Sequence, residues 1–226
     1  AFEGRSISIG MRAEDGAIDA VHITDDGNVV TRSIGHVPPR GVCGSGLIDA
    51  VAELRRWHIV DASGAITPAD SLAGAVPDTL RSRIVERPWG RGFLLAGSPR
   101  DEVILRATDV RQVQLAVGSV RAGIAVLLAE SGLAASDLAV MLVAGNFGYF
   151  VRRQSLARIG LVPGMPIDRV QLAGNAAGVA ARLALLDERF RERVEALAGT
   201  ATFVDLGGRP GYSDAFMAAL TFPVLD

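Results

Sequence analysis

The first forty residues of the chain alternate apolar and polar positions with a period of two. Residues 6–9 and 17–23 show this pattern, and residues 29–34 continue it after turn-forming residues at 25–28. Successive side chains of a strand point to opposite faces, so this period is typical of strands with one buried face. The pattern predicts an antiparallel meander of three strands over residues 5–34.

Apolar residues recur at helical spacing in the segments that follow. Leu47, Val51 and Leu54 predict a helix after Gly46. The longest helix is predicted to begin with Thr108–Asp109 as its N-cap, with Asp109 and Gln112 as a capping box, and to end at Gly132. Three further helices are predicted: one ending at Leu186, one over residues 188–197 and one over residues 213–220.

Short apolar runs predict further strands in the same region. The continuous run at 138–143 is typical of a strand that is covered on both faces, and residues 170–172 and 201–206 predict two more strands. Residues 61–100 are rich in glycine, proline, aspartate and serine, and only 92–96 predicts a strand there.

The order of these elements indicates the α/β class. A meander followed by strand–glycine–helix units predicts a mixed sheet with helices packed against it. We therefore predict a β-meander over residues 1–40 and an α/β remainder over residues 41–226.

Composition excludes several classes of protein. The 226 residues are 49% hydrophobic, which indicates a folded chain, and the single Cys43 excludes a disulfide framework. The net charge of -2 gives no basic excess for nucleic acid or an anionic membrane. No uninterrupted apolar run approaches the roughly 20 residues that span a bilayer. We expect no nucleic-acid or membrane partner and a cytoplasmic location. Since the chain begins with Ala1 rather than methionine, we expect a piece of a longer protein or a processed product.

Three glycine-rich turns precede helices and are the best candidates for a ligand site. They are GVCGSG at 41–46, AGNFG at 144–148 and AGNAAG at 173–178. Any one of them is also compatible with simple tight packing. Together, at the ends of neighbouring strands, they favour a phosphate or nucleotide bound by main-chain N–H groups. None is a P-loop and none fits GxGxxG with a spaced acidic residue.

Other candidate chemistry is sparse. The three histidines His22, His36 and His58 lack metal-ligand spacing. Cys43 lies beside a helix N-terminus, where its pKa could be lowered, but a buried small apolar role is favoured. The pair at 152–153, two arginines, is compatible with an anion, an acidic partner or plain solvent exposure.

An ordered set of motifs resembles a known family. The motifs are, in order, AFEG, GMRA, GAIDAV, GVCGSGLIDAVAEL, VRQVQLAVGSVRAGI, LVAGNFG, RIGLVP and GNAAG. From Ala1 to the final FPVLD, they are similar to the C-terminal ATPase domain of the reductive activators of corrinoid proteins. These activators are also described as corrinoid-activating ferredoxin-like proteins.

The resemblance implies a fold and an activity. The fold is that of the actin, Hsp70 and sugar-kinase (ASKHA) superfamily, of which this chain would be one ribonuclease-H-like half-domain. Full-length members carry an N-terminal [2Fe–2S] domain, a linker and a middle domain. They use ATP and Mg²⁺ to drive one-electron reduction of cob(II)alamin to cob(I)alamin on a partner corrinoid protein of a methyltransferase system.

The resemblance also assigns cofactor-binding residues. They lie in the adenosine-type turn, in the second glycine turn, in the turn before the first helix and at two polar positions of the long helix. The two polar positions would face the nucleotide cleft or the interdomain surface. The assigned residues are Gly145, Asn146, Phe147 and Gly148; Gly174, Asn175 and Gly178; Gly44, Ser45 and Gly46; and Gln114 and Arg121.

The family's two Asp-x-Gly-Thr phosphate motifs would precede Ala1. We therefore expect no catalytic residue and no metal ligand within this chain, and little or no ATP hydrolysis by it alone. A strand missing from the sheet would leave an open edge, so a homodimer is also expected as one option. Two alternatives stay open: a non-catalytic interaction or dimerisation module, and a small-molecule kinase of the same superfamily.

Overall fold

A strand hairpin and a buried helix form the N-terminal layer of the structure. In this computed structural model, which describes residues 6–98, 101–145, 150–162, 164–209 and 211–225, β1 (Ala17–Ile23) pairs with β2 (Val29–Ser33) in antiparallel register. The short strand β3 (Gly41–Val42) runs parallel to β1 on its other side.

The predicted meander is only partly confirmed, because residues 6–9 form turns and not a strand. Their alternation has a different cause. Ser8 donates from its main-chain N–H and its hydroxyl to the two carboxylate oxygens of Asp109, each at 2.6 Å. Ser8 is therefore polar because it contacts Asp109, and not because it lies on the exposed face of a sheet.

The first long helix, α1 (Gly44–Arg56), is buried along nearly its whole length, from Ser45 to Arg55. Its apolar residues Leu47, Val51 and Leu54 are fully buried, as their spacing predicts. The helix packs against β1 and forms the centre of the core.

A second antiparallel sheet lies in the region where the sequence predicts one strand. The sheet consists of β4 (Ile84–Arg87), β5 (Gly90–Ala96) and β6 (Val103–Arg106), with β5 in the centre. Strand β4 ends in charged and exposed positions, so its apolar pattern is too weak to be seen in the sequence. A short helix, α2 (Asp78–Arg81), precedes the sheet.

The longest helix, α3 (Ala107–Ser131), follows β6 directly. The predicted N-cap at 108–109 is wrong by two to three residues. Arg106 is the N-cap residue, and its main-chain N–H donates to the Asp109 carboxylate at 2.9 Å. The predicted C-cap is confirmed, since Gly132 has the left-handed φ of 66°.

Helix α3 is also long and apolar enough to cross a membrane by length and composition alone. The helix contains charged residues such as Asp109 and Arg121, so it is no uninterrupted apolar run. Helices in the cores of soluble proteins pass the same test of length and composition, and the N-terminal half of α3 contributes Val110, Val113 and Val117 to the core.

The C-terminal region contains two parallel strands and four helices among the described residues. The strands are β7 (Met141–Ala144) and β8 (Val170–Gly174), paired with each other. The helices are α4 (Arg153–Arg158), α5 (Ala176–Leu186), α6 (Glu188–Thr200) and α7 (Tyr212–Ala219).

One strand prediction in this region is confirmed only in part, and another is wrong. The segment 138–143 is a strand only from Met141 onwards, and Leu142 is 61% exposed, so the strand is not covered on both faces. Residues 201–206 form no strand, and Phe203 is 87% exposed. Apolar character alone therefore does not make a strand where no neighbouring strand offers hydrogen bonds.

Two carboxylates are buried in the interface between α1, β1 and α4. Asp49 and Glu53, one helical turn apart, are each 1% exposed. Burial raises the pKa of Asp49, and the hydrogen bonds from Ser155 and Arg152 offset this only in part. Burial also acts to raise the pKa of Glu53. There, however, the Ile23 N–H and the charges of neighbouring arginines prevail and hold the pKa below its ordinary value.

We predict that Gly46→Ala lowers the free energy of unfolding by about 3 kcal/mol, because overpacking a rigid contact costs roughly that amount. A Cβ atom at position 46 would lie 2.1 Å from the Ile18 carbonyl oxygen. The matched control is Gly199→Ala in α6, where a Cβ atom meets nothing within 4 Å. Urea unfolding of both variants gives the comparison, and equal stability of the two would contradict the packing role of Gly46.

We predict that Glu53→Gln lowers stability at pH 7 by about 3 kcal/mol, as expected when one partner of a buried ion pair is lost. The pKa of Glu53 is lowered from its ordinary value of 4.5, so its ionised form stabilises the fold above that pH. This stability is lost as the pH falls through the lowered pKa. The variant should therefore lose less stability than the parent on acidification, as measured by thermal unfolding between pH 7 and 3. The exposed Glu86→Gln should leave the acid profile unchanged.

Candidate functional site

Two of the three predicted glycine turns meet at one edge of the C-terminal sheet. Gly145 follows β7, Gly174 ends β8, and the Gly145 N–H donates to the Gly174 carbonyl at 2.8 Å. Both residues have positive φ, 104° and 61°, which favours glycine. Among the described residues, nothing lies within 4 Å of a Cβ atom built at Gly145.

The helix that follows β8 begins at the same edge. Asn175 is the N-cap residue of α5, and its side-chain oxygen accepts from the Gly178 N–H at 3.0 Å. The cap leaves the N–H groups of the first two helical residues, Ala176 and Ala177, without intrahelical partners. Residues 175–178 are exposed. The helix N-terminus therefore presents free donors and a positive dipole end to solvent, an arrangement that suits a phosphate group.

The other residues assigned to the turn after β7 are Asn146, Phe147 and Gly148. They lie outside the described residues. Their assignment as cofactor-binding residues stays a prediction.

The third glycine turn has a different environment. Gly44 opens α1, and the Ser45 hydroxyl donates to the Asp19 carbonyl at 2.8 Å. Ser45 and Gly46 are buried against β1, and Cys43 beside them is buried too, as the sequence favours. In the described structure this turn serves the packing of α1 on β1.

Gln114, assigned from the resemblance to the cleft, is 2% exposed. Its amide nitrogen donates to the carbonyls of Ser63 and Leu220, both at 2.9 Å. The side chain therefore joins the 61–64 turn and the C-terminal segment to α3, and both of its amide hydrogens are in use within the fold.

Arg121 lies beside a groove between α3, α4 and α7. Its guanidinium donates to the carbonyls of Ala219 and Thr221 at 2.8 and 2.7 Å, and burial lowers its pKa. The groove has a volume of about 590 Å³. Its lining is mostly small or apolar, with Arg121 as its charged member among the described residues.

The groove is formed by other segments than the glycine turns. Its lining includes Gly160 and Met165, which lie in the chain between α4 and β8. Among the described residues, none of Gly145, Gly174, Asn175 and Gly178 lines it. The structure thus brings these four residues together at one edge of the sheet, whereas Arg121 lines the groove.

The sequence-based assignment missed the buried carboxylates Asp49 and Glu53 and their partners on α4. Their signal was present as two acidic residues four apart within the apolar face of α1. Arg152 contacts Asp49 within the chain, a pairing that the sequence-based options for this residue did not include.

A metal ion has no evident protein ligands here. Among the described residues, no group of three or more histidine, cysteine, aspartate or glutamate side chains could hold one.

The fold and the strand-end turns define a mixed α/β domain of the ASKHA type, a class of nucleotide-binding fold. A sequence model of the C-terminal domain of RACo, the ASKHA domain, matches residues 1–226. The chain belongs to this family.

Relatives with described activities support the same assignment. The chain is 31% identical over 225 residues to the corrinoid activation enzyme RamQ of Eubacterium limosum, covering 98% of the chain and 38% of that protein. It is 27% identical over 205 residues to the [Co(II) methylated amine-specific corrinoid protein] reductase of Methanosarcina barkeri, covering 86% of the chain and 35% of that protein.

A solved structure, that of a reductive activator for corrinoid, iron–sulfur protein, is also similar. It has a TM-score of 0.85 and 32% identity, covering all of this chain and 35% of the other. The chain thus spans little more than a third of the length of these relatives.

Proposed function

We propose that this chain is the nucleotide-binding C-terminal part of an ATP-dependent reductive activator of corrinoid proteins. The whole protein would return inactive cob(II)alamin on a corrinoid methyltransferase partner to cob(I)alamin by adding one electron. A [2Fe–2S] cluster in a domain outside this chain would supply that electron. The named activities of the relatives and the family of this domain support the proposal.

The observation that carries the nucleotide site is the hydrogen bond between Gly145 and Gly174. It holds two glycine turns side by side at the strand ends, where α/β sheets bind ligands. The first N–H groups of α5 then supply donors for a phosphate at the same edge. Residues 144–148 and 174–178 include no charged side chain, so recognition by these turns is by main chain and helix dipole.

Mg²⁺ would be held at this edge by the phosphates and by water, because Mg²⁺ retains several waters and few protein ligands in such sites. The described residues fit this arrangement. The Asn175 side chain is neutral, and the phosphates of the nucleotide balance the charge of Mg²⁺ themselves. Hydrolysis would require groups from the remainder of the whole protein. The contribution of this chain is to bind the nucleotide and to orient its phosphates.

ATP binding would act by shifting a conformational equilibrium. A ligand changes such an equilibrium only to the extent that it binds one state better than the other. We propose that a closed state brings the strand-end edge against the half-domain carrying the phosphate motifs, and that the nucleotide stabilises this state.

A second role, protein interaction, is favoured by exposed apolar side chains in the C-terminal helices. Leu185 and Leu186 at the end of α5 are 84% and 77% exposed, and Leu197 on α6 is 67% exposed. Exposed apolar surface of this kind is typical of interaction sites. We propose that this region contacts another domain, the corrinoid protein or a second copy of the chain.

We predict that Asn175→Asp weakens Mg²⁺–ATP binding at least tenfold while leaving the melting temperature unchanged. Aspartate caps a helix as well as asparagine, so α5 keeps its N-cap hydrogen bond. The added negative charge, however, would repel a phosphate at this edge. The measurement is calorimetric titration of the natural polypeptide that contains these residues.

The matched control uses the neighbouring helix. Asp187 caps α6 through the Phe190 N–H at 3.2 Å and lies outside the proposed site. Asp187→Asn should leave ATP affinity unchanged. If the parent and Asn175→Asp bind Mg²⁺–ATP with equal affinity, the phosphate does not bind at this helix N-terminus.

A further inference from the structure

A buried carboxylate on α1 holds the beginning of α4, the helix that follows the Gly145 turn. One oxygen of Asp49 accepts from the Ser155 hydroxyl at 2.6 Å and from Nε of Arg152 at 3.0 Å. Arg152 is the N-cap residue of α4, and Ser155 lies in its first turn. The attachment is therefore made seven residues after Gly145, before the helix has completed a turn.

A second attachment holds the other end of the same helix. Glu53 accepts from Arg158 at 2.7 Å through one oxygen. Its other oxygen accepts from the Ile23 N–H and from Arg56, both at 3.0 Å, and lies 3.6 Å from the His22 ring nitrogen. Two attachments one turn apart on α1 fix both the position of α4 and its rotation about its own axis.

The residue after Arg152 contacts the other layer. Arg153 donates to the carbonyl of Val170, the first residue of β8, at 3.3 Å. Adjacent arginines thus link the start of α4 to α1 on one side and to the C-terminal sheet on the other. Val151, just before them, is 2% exposed, so the chain enters α4 through the core.

We propose that Arg152, paired with Asp49 and supported by Ser155, is a positioning residue for the nucleotide-binding edge. The pair fixes the start of α4, where Arg153 contacts the first residue of β8, and so aligns Gly174 at the end of that strand with Gly145. This inference rests on the proposed function for its ligand. Its structural part, the alignment of the two turns, stands on the contacts of Asp49.

The test compares Arg152→Gln with Arg158→Gln in the natural polypeptide that contains these residues. Each variant removes one arginine from a buried carboxylate on α1. Arg152 also donates to the Val21 carbonyl and lies 3.6 Å from Glu53, so its loss should cost more stability, and both readouts are taken under conditions in which each variant is fully folded. Only Arg152 lies at the end of α4 next to the turn. We expect Arg152→Gln to speed hydrogen exchange of the Gly145 amide at least tenfold and to weaken Mg²⁺–ATP binding five- to twentyfold. Arg158→Gln should change either quantity by less than twofold.

Two further variants keep the test decisive. If Arg152→Gln does not fold, Ser155→Ala removes one hydrogen bond to Asp49 and should produce the same pattern with a smaller effect. Arg152→Lys retains the charge beside Asp49 and should restore part of the amide protection. A merely structural role would show equal effects of the variants at the two ends of α4.

The outcomes separate the two proposals. If the parent binds ATP and Arg152→Gln matches Arg158→Gln in both readouts, the positioning role is overturned while the nucleotide site stands. If the parent binds no ATP, the nucleotide site is overturned, and the exchange rate of the Gly145 amide alone decides whether Arg152 aligns the turns.

Discussion

The structure depends on two negative charges that are buried on one helix. Asp49 and Glu53 lie on the face of α1 that meets β1 and α4, where water cannot solvate them. A buried charge is tolerated only when it is paired and hydrogen-bonded. Main-chain N–H groups of β1 and three arginines meet that requirement. The N-terminal hairpin, α1 and α4 are thereby held in one arrangement, with the C-terminal sheet attached through α4.

This arrangement accounts for the position of the candidate site. The two parallel strands β7 and β8 end in glycines that are hydrogen-bonded to each other, and α5 begins beside them. The polar residues of α3 make contacts within the fold: Gln114 joins distant loops inside the core, and Arg121 caps the end of α7 beside a groove. The described part of the proposed nucleotide site is built mainly from main chain.

Elements with strong local signals could be predicted from the sequence. The sequence predicts helix α1, helix α3 with its Gly132 cap, strand β8 and the helix that ends at Leu186 from periodicity and capping chemistry. Strand β4 could not be predicted, because its exposed charges hide the alternation and its pairing with β5 is not local. The strand predicted at 201–206 is absent for the opposite reason, because the segment has the composition of a strand but no neighbouring strand to pair with.

The candidate site likewise contains features that the sequence predicts and features that it does not. Glycines with positive φ at strand ends are visible in the sequence because few other residues adopt that backbone. The pairing of Asp49 with Arg152 joins residues about a hundred positions apart, and only the folded chain brings them together. The resemblance assigns Gln114 and Arg121 to the cleft or the interdomain surface, and this assignment stays a prediction, whereas their contacts within the fold could not be read from a motif.

Photo-cross-linking with 8-azido-ATP tests the central claim most directly. After irradiation and proteolysis of the natural polypeptide, mass spectrometry identifies the labelled peptides. The account predicts label on peptides that contain Gly145 or residues 174–178, reduced by excess ATP. Label confined to peptides that line the Arg121 groove, or to the turn at 44–46, would contradict a nucleotide site at the ends of β7 and β8.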